Sequence, residues 1–212
     1  MDKIKSALEI FDYHALEYQK KFMDVSLYSD TFDLFCEHIK IENASVLELA
    51  CGPGNITRYL LKKRPDFDLL GIDFSANMVA LAKMNNPKAV FKVMDCRKIE
   101  IIEEKFEGIM CGFCLPYLTN EETLKLIDDA GSLLLPGGVL YLSTIEDDYS
   151  KSGLQTNSAG EQTMVYYYEA DQLSHALKES GFRILAELRK SYPAGNEKTV
   201  TDLIIIAEKC VQ

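Results

Sequence analysis

The stretch that decides the fold is Val46-Leu47-Glu48-Leu49-Ala50-Cys51-Gly52-Pro53-Gly54-Asn55. A short apolar run enters a turn of small residues, and a helical pattern follows from Asn55 to Lys63, ended by Pro65. Gly52 and Gly54 let a backbone turn sharply and come close to a ligand, and the helix N-terminus beyond favours a negative group. A bland tight turn between strand and helix also fits this stretch. The next apolar run, Leu69 to Ile72, ends in Asp73, 19 residues after Gly54. An acid there has the spacing expected to hold ribose hydroxyls in a nucleoside-binding βαβ unit. An acid near the start of the next helix, capped by Ser75, is the plain structural alternative. Both signals fall in the required strand–turn–helix context.

The pattern repeats outward. Ala89 to Met94, Gly108 to Gly112 and Val139 to Thr144 read as further strands. Ser75 starts a helix through Met84, and Thr119 or Asn120 starts one through Leu134, with Glu121 and Glu122 where the helix dipole favours negative charge. Pro136-Gly137-Gly138 reads as a turn. This alternation predicts a parallel sheet with helices on both faces. The end of the chain differs. A helix over Asp171 to Ser180 closes at Gly181, and Phe182 to Leu188 and Val200 to Ala207 then read as two strands joined through Pro193-Ala194-Gly195-Asn196. With no helix between them they must pair antiparallel. The expected fold is an α/β, Rossmann-like, doubly wound sheet of seven strands, five parallel plus a C-terminal antiparallel hairpin.

Ile4, Leu8, Phe11, Ala15, Tyr18, Phe22 and Val25 recur at helical spacing, and Phe32, Phe35 and Ile39 mark a second helix near Ser29 to Ile39. Residues 1–40 are thus read as a helical cap. Residues 145–169 are too many for a plain loop. They are read as a lid-like insertion with structure of its own, including a strand through Tyr166-Tyr167-Tyr168. No repeat or Pro/Ser-rich linker interrupts residues 1–212, which are read as one domain.

The chain has 212 residues, 47% of them hydrophobic, with 23 Lys and Arg against 33 Asp and Glu and a net charge of −10. That composition suits a globular core and argues against disorder. The charge weakens any reading that needs tight contact with a phosphate backbone. Six cysteines are too sparse for a disulfide framework and read as buried thiols in a reducing compartment. Charged residues at Asp2, Lys3, Lys5, Glu9 and Asp12 interrupt any leader-like apolar segment, and no run approaches the length of a spanning helix. A cytoplasmic location without membrane contact is the expectation.

The motifs in order resemble those of class I S-adenosylmethionine-dependent methyltransferases of small-molecule type. The first reads Glu48-Leu49-Ala50-Cys51-Gly52-Pro53-Gly54, with Ala50 in place of the first glycine of Gly-x-Gly-x-Gly. The acidic motif reads Leu70-Gly71-Ile72-Asp73-Phe74-Ser75, the third Val93-Met94-Asp95-Cys96, and the fourth Ile109 to Leu118. Leu135-Pro136-Gly137-Gly138 opens the fifth strand, and the resemblance spans roughly residues 40 to 208.

The resemblance implies S-adenosylmethionine as cofactor and S-adenosylhomocysteine as product. It puts Ala50, Cys51, Gly52, Pro53, Gly54 and Asn55 under the methionine and ribose parts. It puts Asp73 on the ribose hydroxyls, Phe74 and Met78 beside the adenine, and Asp95 and Cys96 at the adenine edge. Backbone carbonyls of Cys111, Gly112 and Phe113 would meet the methionine amine. Tyr18 and Tyr28 are candidates for an aromatic residue closing over the amino-acid end, and aromatic packing on a helix explains them equally. Thr57 stands where a nicotinamide fingerprint wants a third small residue, which argues against a dehydrogenase.

The reaction so implied is in-line methyl transfer to a small-molecule acceptor, in a monomer or homodimer. A protein or RNA methyltransferase, or a non-catalytic module binding the same cofactor, are the alternatives. No catalytic base is identified. Tyr117, in the fourth-motif loop, and His14, on the cap, are the candidates. Cys114-Leu115-Pro116-Tyr117 departs from the Asn/Asp-Pro-Pro-Tyr loop that acts on planar amides and adenines, which disfavours those acceptors. Cys111-x-x-Cys114 has redox or half-zinc spacing but no second pair or nearby histidine, so buried thiols are expected and no metal site.

Overall fold

A computed structural model describes residues 6–156, 160–193 and 199–211. Seven strands form one sheet. In chain order they are β1 (Ser45–Leu49), β2 (Asp68–Asp73), β3 (Val90–Val93), β4 (Phe106–Cys111), β5 (Leu134–Ile145), β8 (Phe182–Pro193) and β9 (Thr199–Lys209). Strands β6 (Gly153–Thr156) and β7 (Gln162–Val165) form a separate antiparallel pair. The sheet order is β3-β2-β1-β4-β5-β9-β8. The first five strands run parallel, and β9 and β8 are antiparallel to their neighbours. Strand order therefore reverses between β1 and β4, the place where open α/β sheets leave a crevice at their carboxyl ends.

Central strands carry side chains into both faces, which is why they read as continuous apolar runs. Leu140 and Leu142 of β5 pack with Leu47, Leu49 and Ile109 against helices α6 (Asn120–Leu133) and α7 (Ala170–Glu179). Val139 and Tyr141 turn the other way, toward α3 (Ser29–His38) and α4 (Asn55–Lys63). The fifth helix, α5 (Ala76–Asn85), covers Cys51 and Phe91. The expected caps are in place. The Ser75 hydroxyl accepts from the Met78 N–H, Thr119 forms a reciprocal capping box with Glu122, and Gly181 takes φ of 81° at the end of α7.

Three local expectations are corrected. The N-terminal periodicity does not give one helix. It gives α1 (Ala7–Tyr13) and α2 (Ala15–Phe22), broken at His14, whose φ of −97° and ψ of 18° leave the helical region. Pro136-Gly137-Gly138 is not a separate turn before β5. It lies inside that strand as an irregularity, with Phe106 opposite Leu134 and then Gly108 opposite Val139. In the 145–169 segment the strand falls on Gln162–Val165 rather than on the three tyrosines, of which only Tyr168 makes a bridge, to Glu146. Ile4 of the expected first helix and Ala194-Gly195-Asn196 of the expected hairpin turn lie outside the described residues. Among the described residues no helix is long and apolar enough to cross a membrane.

Candidate functional site

The loops that leave the carboxyl ends of β1, β2, β3 and β4 surround a cavity of about 580 Å³. Its floor is the turn after β1. Ala50, Gly52 and Phe113 all adopt left-handed backbone, with φ of 51°, 52° and 59°. For Ala50 and Phe113 that conformation costs about 1–2 kcal/mol each, strain of the kind held at ligand-binding loops. Gly54, at φ of 77°, starts α4; a Cβ there would sit 2.3 Å from the Asn86 side-chain nitrogen. The turn is held from behind by three asparagines. Asn86 donates to the Gly54 carbonyl, Asn85 to the Pro53 carbonyl, and Asn55 to the Phe22 carbonyl, at 2.8–2.9 Å.

Asp73 stands at the end of β2, 5% exposed, on the cavity wall. One carboxylate oxygen accepts the Gly52 N–H at 2.9 Å and the other the Ser75 N–H at 2.8 Å. Burial raises its pKa, the two backbone bonds pull the other way, and the charge of Asp12 adds to the rise. A carboxylate has about four lone-pair positions. Two are taken, so two are left for hydroxyl donors in the cavity.

Phe74 and Met78 line the same wall. Asp95 and Cys96 line the far end, but the Asp95 carboxylate is not free. It accepts the Arg97 backbone N–H at 3.0 Å and the Arg97 guanidinium, which also reaches Glu122 at 3.0 Å. Burial alone would raise the Asp95 pKa, and Arg97 outweighs it and holds the acid below its ordinary value. Among the described residues lining the cavity, Arg97 is the one cation, and it is paired twice.

The cap closes the cavity from above. Asp12 accepts from the Ser75 hydroxyl at 2.6 Å and from the Asn77 N–H at 3.1 Å, which ties the end of α1 to the start of α5. Phe11 then sits edge-on to Tyr18 and Tyr117, with ring centroids 5.7 and 4.9 Å away. Tyr18 lies over the Gly52 backbone, its ring 3.8 Å from where a Cβ would be. Burial pushes the Tyr117 phenol up to about 12.

Several of the residues singled out in the sequence do not line the cavity. Pro53, Gly54 and Asn55 shape the turn from outside it. Cys51 packs under α5, and Cys111 in the core beneath α6. Tyr28 donates to Asp202 at 2.5 Å and meets the Phe113 ring edge-on at 4.8 Å, so it supports the loop rather than facing the space it bounds. His14 is placed away from the lining as well. Its two ring nitrogens face Glu17 and Glu161, the latter at 2.8 Å. That leaves no ring nitrogen to take a proton from an acceptor in the cleft. In the other direction, sequence reading missed Arg97, the wall role of Phe11 and the anchoring role of Asp12. An acid set into the apolar face of α1 was the available signal for the last. Among the described residues no group of three His, Cys, Asp or Glu side chains could hold a metal ion.

The segment that builds this site is similar to known proteins. Residues 46–138 match the model of a methyltransferase domain. Putative methyltransferase 235L of Invertebrate iridescent virus 6 is 31% identical over 109 residues, 51% of this chain and 40% of that protein. Trans-aconitate 2-methyltransferase of Variovorax paradoxus strain S110 is 33% identical over 101 residues, 48% of this chain and 38% of that protein. The chain thus spans about two fifths of the length of these relatives. The DhpI structure in complex with SAH superposes with a TM-score of 0.75 over 97% of this chain and 96% of that one, at 19% identity. Residues 46–138 thus resemble a methyltransferase domain, and the fold of the chain resembles that of the DhpI structure.

Proposed function

We propose that the protein transfers a methyl group from S-adenosylmethionine to a small, uncharged or cationic acceptor that enters beneath the helical cap. The observation that carries this reading is Asp73, buried on the cavity wall with each oxygen fixed by a backbone N–H and two acceptor positions left over. Those open acceptor positions fit the vicinal hydroxyls of a ribose. The left-handed backbone at Ala50, Gly52 and Phe113 brings main chain against the space where the rest of the cofactor would lie.

When bound, the cofactor supplies an electrophilic methyl group on a sulfonium. The work of the chain is to hold and align. Asp73 binds the ribose, Phe74 and Met78 flank the base, and the Cys96 N–H meets its edge beside an Asp95 carboxylate that Arg97 engages at both oxygens. Phe11, Tyr18 and Tyr117 exclude water from the reacting end. Alignment of this kind supplies on the order of 7–11 kcal/mol in favourable cases. Tyr117, with its phenol pushed up to about 12, keeps its proton at neutral pH and therefore orients an acceptor rather than deprotonating it. The acceptor must then be one that needs no base, or one that loses its proton to water.

The wall argues the acceptor class. Its described charges are Asp73, Asp95 and the paired Arg97. A polycarboxylate or a phosphate would find no free cation there, and a net charge of −10 disfavours nucleic acid. We read the α1–α2 cap and the 145–169 segment as the two covers of this pocket, joined by His14 and Glu161. Six free thiols suit a cytoplasmic setting.

The experiment is calorimetry with S-adenosylhomocysteine on the protein and on Asp73→Asn. The variant keeps the shape but has one acceptor oxygen instead of two. Charge-assisted hydrogen bonds of about 1.5–3 kcal/mol translate into roughly a ten- to hundredfold weaker Kd. Equal affinity would sink the ribose role. No binding by the unaltered protein at millimolar ligand would sink the whole reading. A methyl-transfer screen against neutral, cationic and carboxylate metabolites, read by mass spectrometry, tests the acceptor class.

A further inference from the structure

The cavity wall carries a feature that methyl transfer does not use. Cys96 begins the short 3-10 turn Cys96–Ile101 after β3, and Cys114 lies on the loop after β4. They are 18 positions apart in sequence, both line the cavity, and their sulfurs are 3.4 Å apart. Cys114 is 5% exposed and also hydrogen bonds to Cys111, whereas Cys96 is half-buried and open to the cavity. An approachable thiol facing a buried one is the arrangement in which the first meets an oxidant and the second resolves the adduct.

We propose that Cys96 and Cys114 form a reversible disulfide with low-molecular-weight disulfides, and that this link shuts the cofactor cavity. The exchange balances without any further reagent. The Cys96 sulfur attacks a disulfide RSSR, forming Cys96–S–S–R and releasing one RSH. The Cys114 sulfur then attacks the Cys96 sulfur, forming the Cys96–Cys114 bond and releasing a second RSH. The two thiols lose two electrons and two protons, and RSSR gains them. A sulfur–sulfur bond is about 2.05 Å long, so the two sulfurs, 3.4 Å apart, must close by roughly 1.3 Å, pulling on both loops. Binding geometries tolerate about 0.5 Å. The contraction falls on the wall that holds Asp95 and the Cys96 N–H, the predicted adenine end.

The thiols are well shielded. Hydrogen bonding to Cys114, together with burial, keeps the Cys96 thiol well above its ordinary pKa. The thiolate is the attacking species. Exchange is therefore slow at neutral pH and speeds up as pH rises.

The affinity consequence rests on the proposed cofactor site; the cross-link itself does not. The test uses the full chain with exposed Cys210 replaced by serine, treated with oxidised glutathione between pH 7 and 9 and mapped by peptide mass spectrometry. The expected product is one intramolecular Cys96–Cys114 link with loss of two hydrogens, formed faster at higher pH and reversed by dithiothreitol. In Cys114→Ser the reaction should stop at a glutathione adduct on Cys96. A Cys111–Cys114 link, a lasting adduct on Cys96 in the parent, or no cross-link at pH 9 would overturn the assignment. The linked protein should bind S-adenosylhomocysteine at least tenfold more weakly, with recovery on reduction. Unchanged affinity after complete cross-linking would overturn the shutting role. If the reduced protein fails to bind at all, the cofactor reading fails while peptide mapping still decides the disulfide.

Discussion

Glu48 offers a measurement whose outcome follows from burial alone. It sits on the central strand β1, 1% exposed, and accepts a hydrogen bond from the Thr57 hydroxyl. Burial raises its pKa to about 8 from an ordinary 4.5; Thr57 lowers it and the nearby charge of Asp73 raises it further. At neutral pH the folded protein keeps a proton on Glu48 that the unfolded chain has released. For an acid whose folded pKa is raised, stability falls as pH climbs from about 4.5 to about 8. Each unit in that window is worth about 1.4 kcal/mol. From pH 5 to pH 7 the loss from this one group is about 3 kcal/mol, against a total stability of about 5–15 kcal/mol. Glu48→Gln is the direct perturbation. Its amide oxygen can still accept from Thr57, it carries no charge, and any fixed cost of the swap is independent of pH. Urea unfolding of both proteins from pH 5 to 8.5 should show the variant gaining about 3 kcal/mol on the parent by pH 7, or roughly 6–12 °C in Tm. Parallel pH curves would refute a neutral buried Glu48.

Three further outcomes follow from the same contacts. Gly54→Ala places a Cβ 2.3 Å from the Asn86 side-chain nitrogen at a left-handed φ, so it should lower the urea midpoint and weaken S-adenosylhomocysteine binding together. Tyr28→Phe removes one of the two tyrosine donors to Asp202, a carboxylate 2% exposed, and should cost about 1–3 kcal/mol in unfolding free energy with little change in cofactor affinity. His14 has a raised pKa, chiefly through Glu17 and in part through Glu161, so its contribution is complete below about 6.5 and is lost as pH rises through the raised value. Hydrogen exchange in the β6–β7 pair, corrected for intrinsic rate, should loosen with rising pH in the parent and show no such step in His14→Ala.

The parts of this fold that sequence reading reached are those set by local chemistry. A strand buried on both faces is mostly apolar, as Leu203–Ala207 is throughout and Val46–Leu49 is apart from Glu48, and a helix start must satisfy its own N–H groups, as Ser75 and Thr119 do. Asp73 and the glycine turn belong to the same class, because strand, turn and helix fix them within about 30 residues. The missed features depend on contacts made across the fold. The apolar period runs through His14 without a break, and the helix breaks there in a structure where His14 also reaches Glu161, 147 residues away. Arg97 was legible as a cation, but not as the partner that occupies Asp95 and leaves the wall without a free positive charge. Strand β6 is mostly exposed, β7 is mostly half-buried, and neither has an alternating pattern, so nothing in their composition marks them. The cysteines make the point most sharply. Spacing draws attention to Cys111, at the end of β4, and Cys114, in the loop just after it, whereas the pair facing each other on the cavity wall is Cys96 and Cys114. The chain crosses from β3 at one edge of the sheet to β4 beside β1, and that crossover carries the 96–101 turn over to the β4 loop. A motif scan along the chain is blind to that juxtaposition, because it is a property of strand order rather than of spacing.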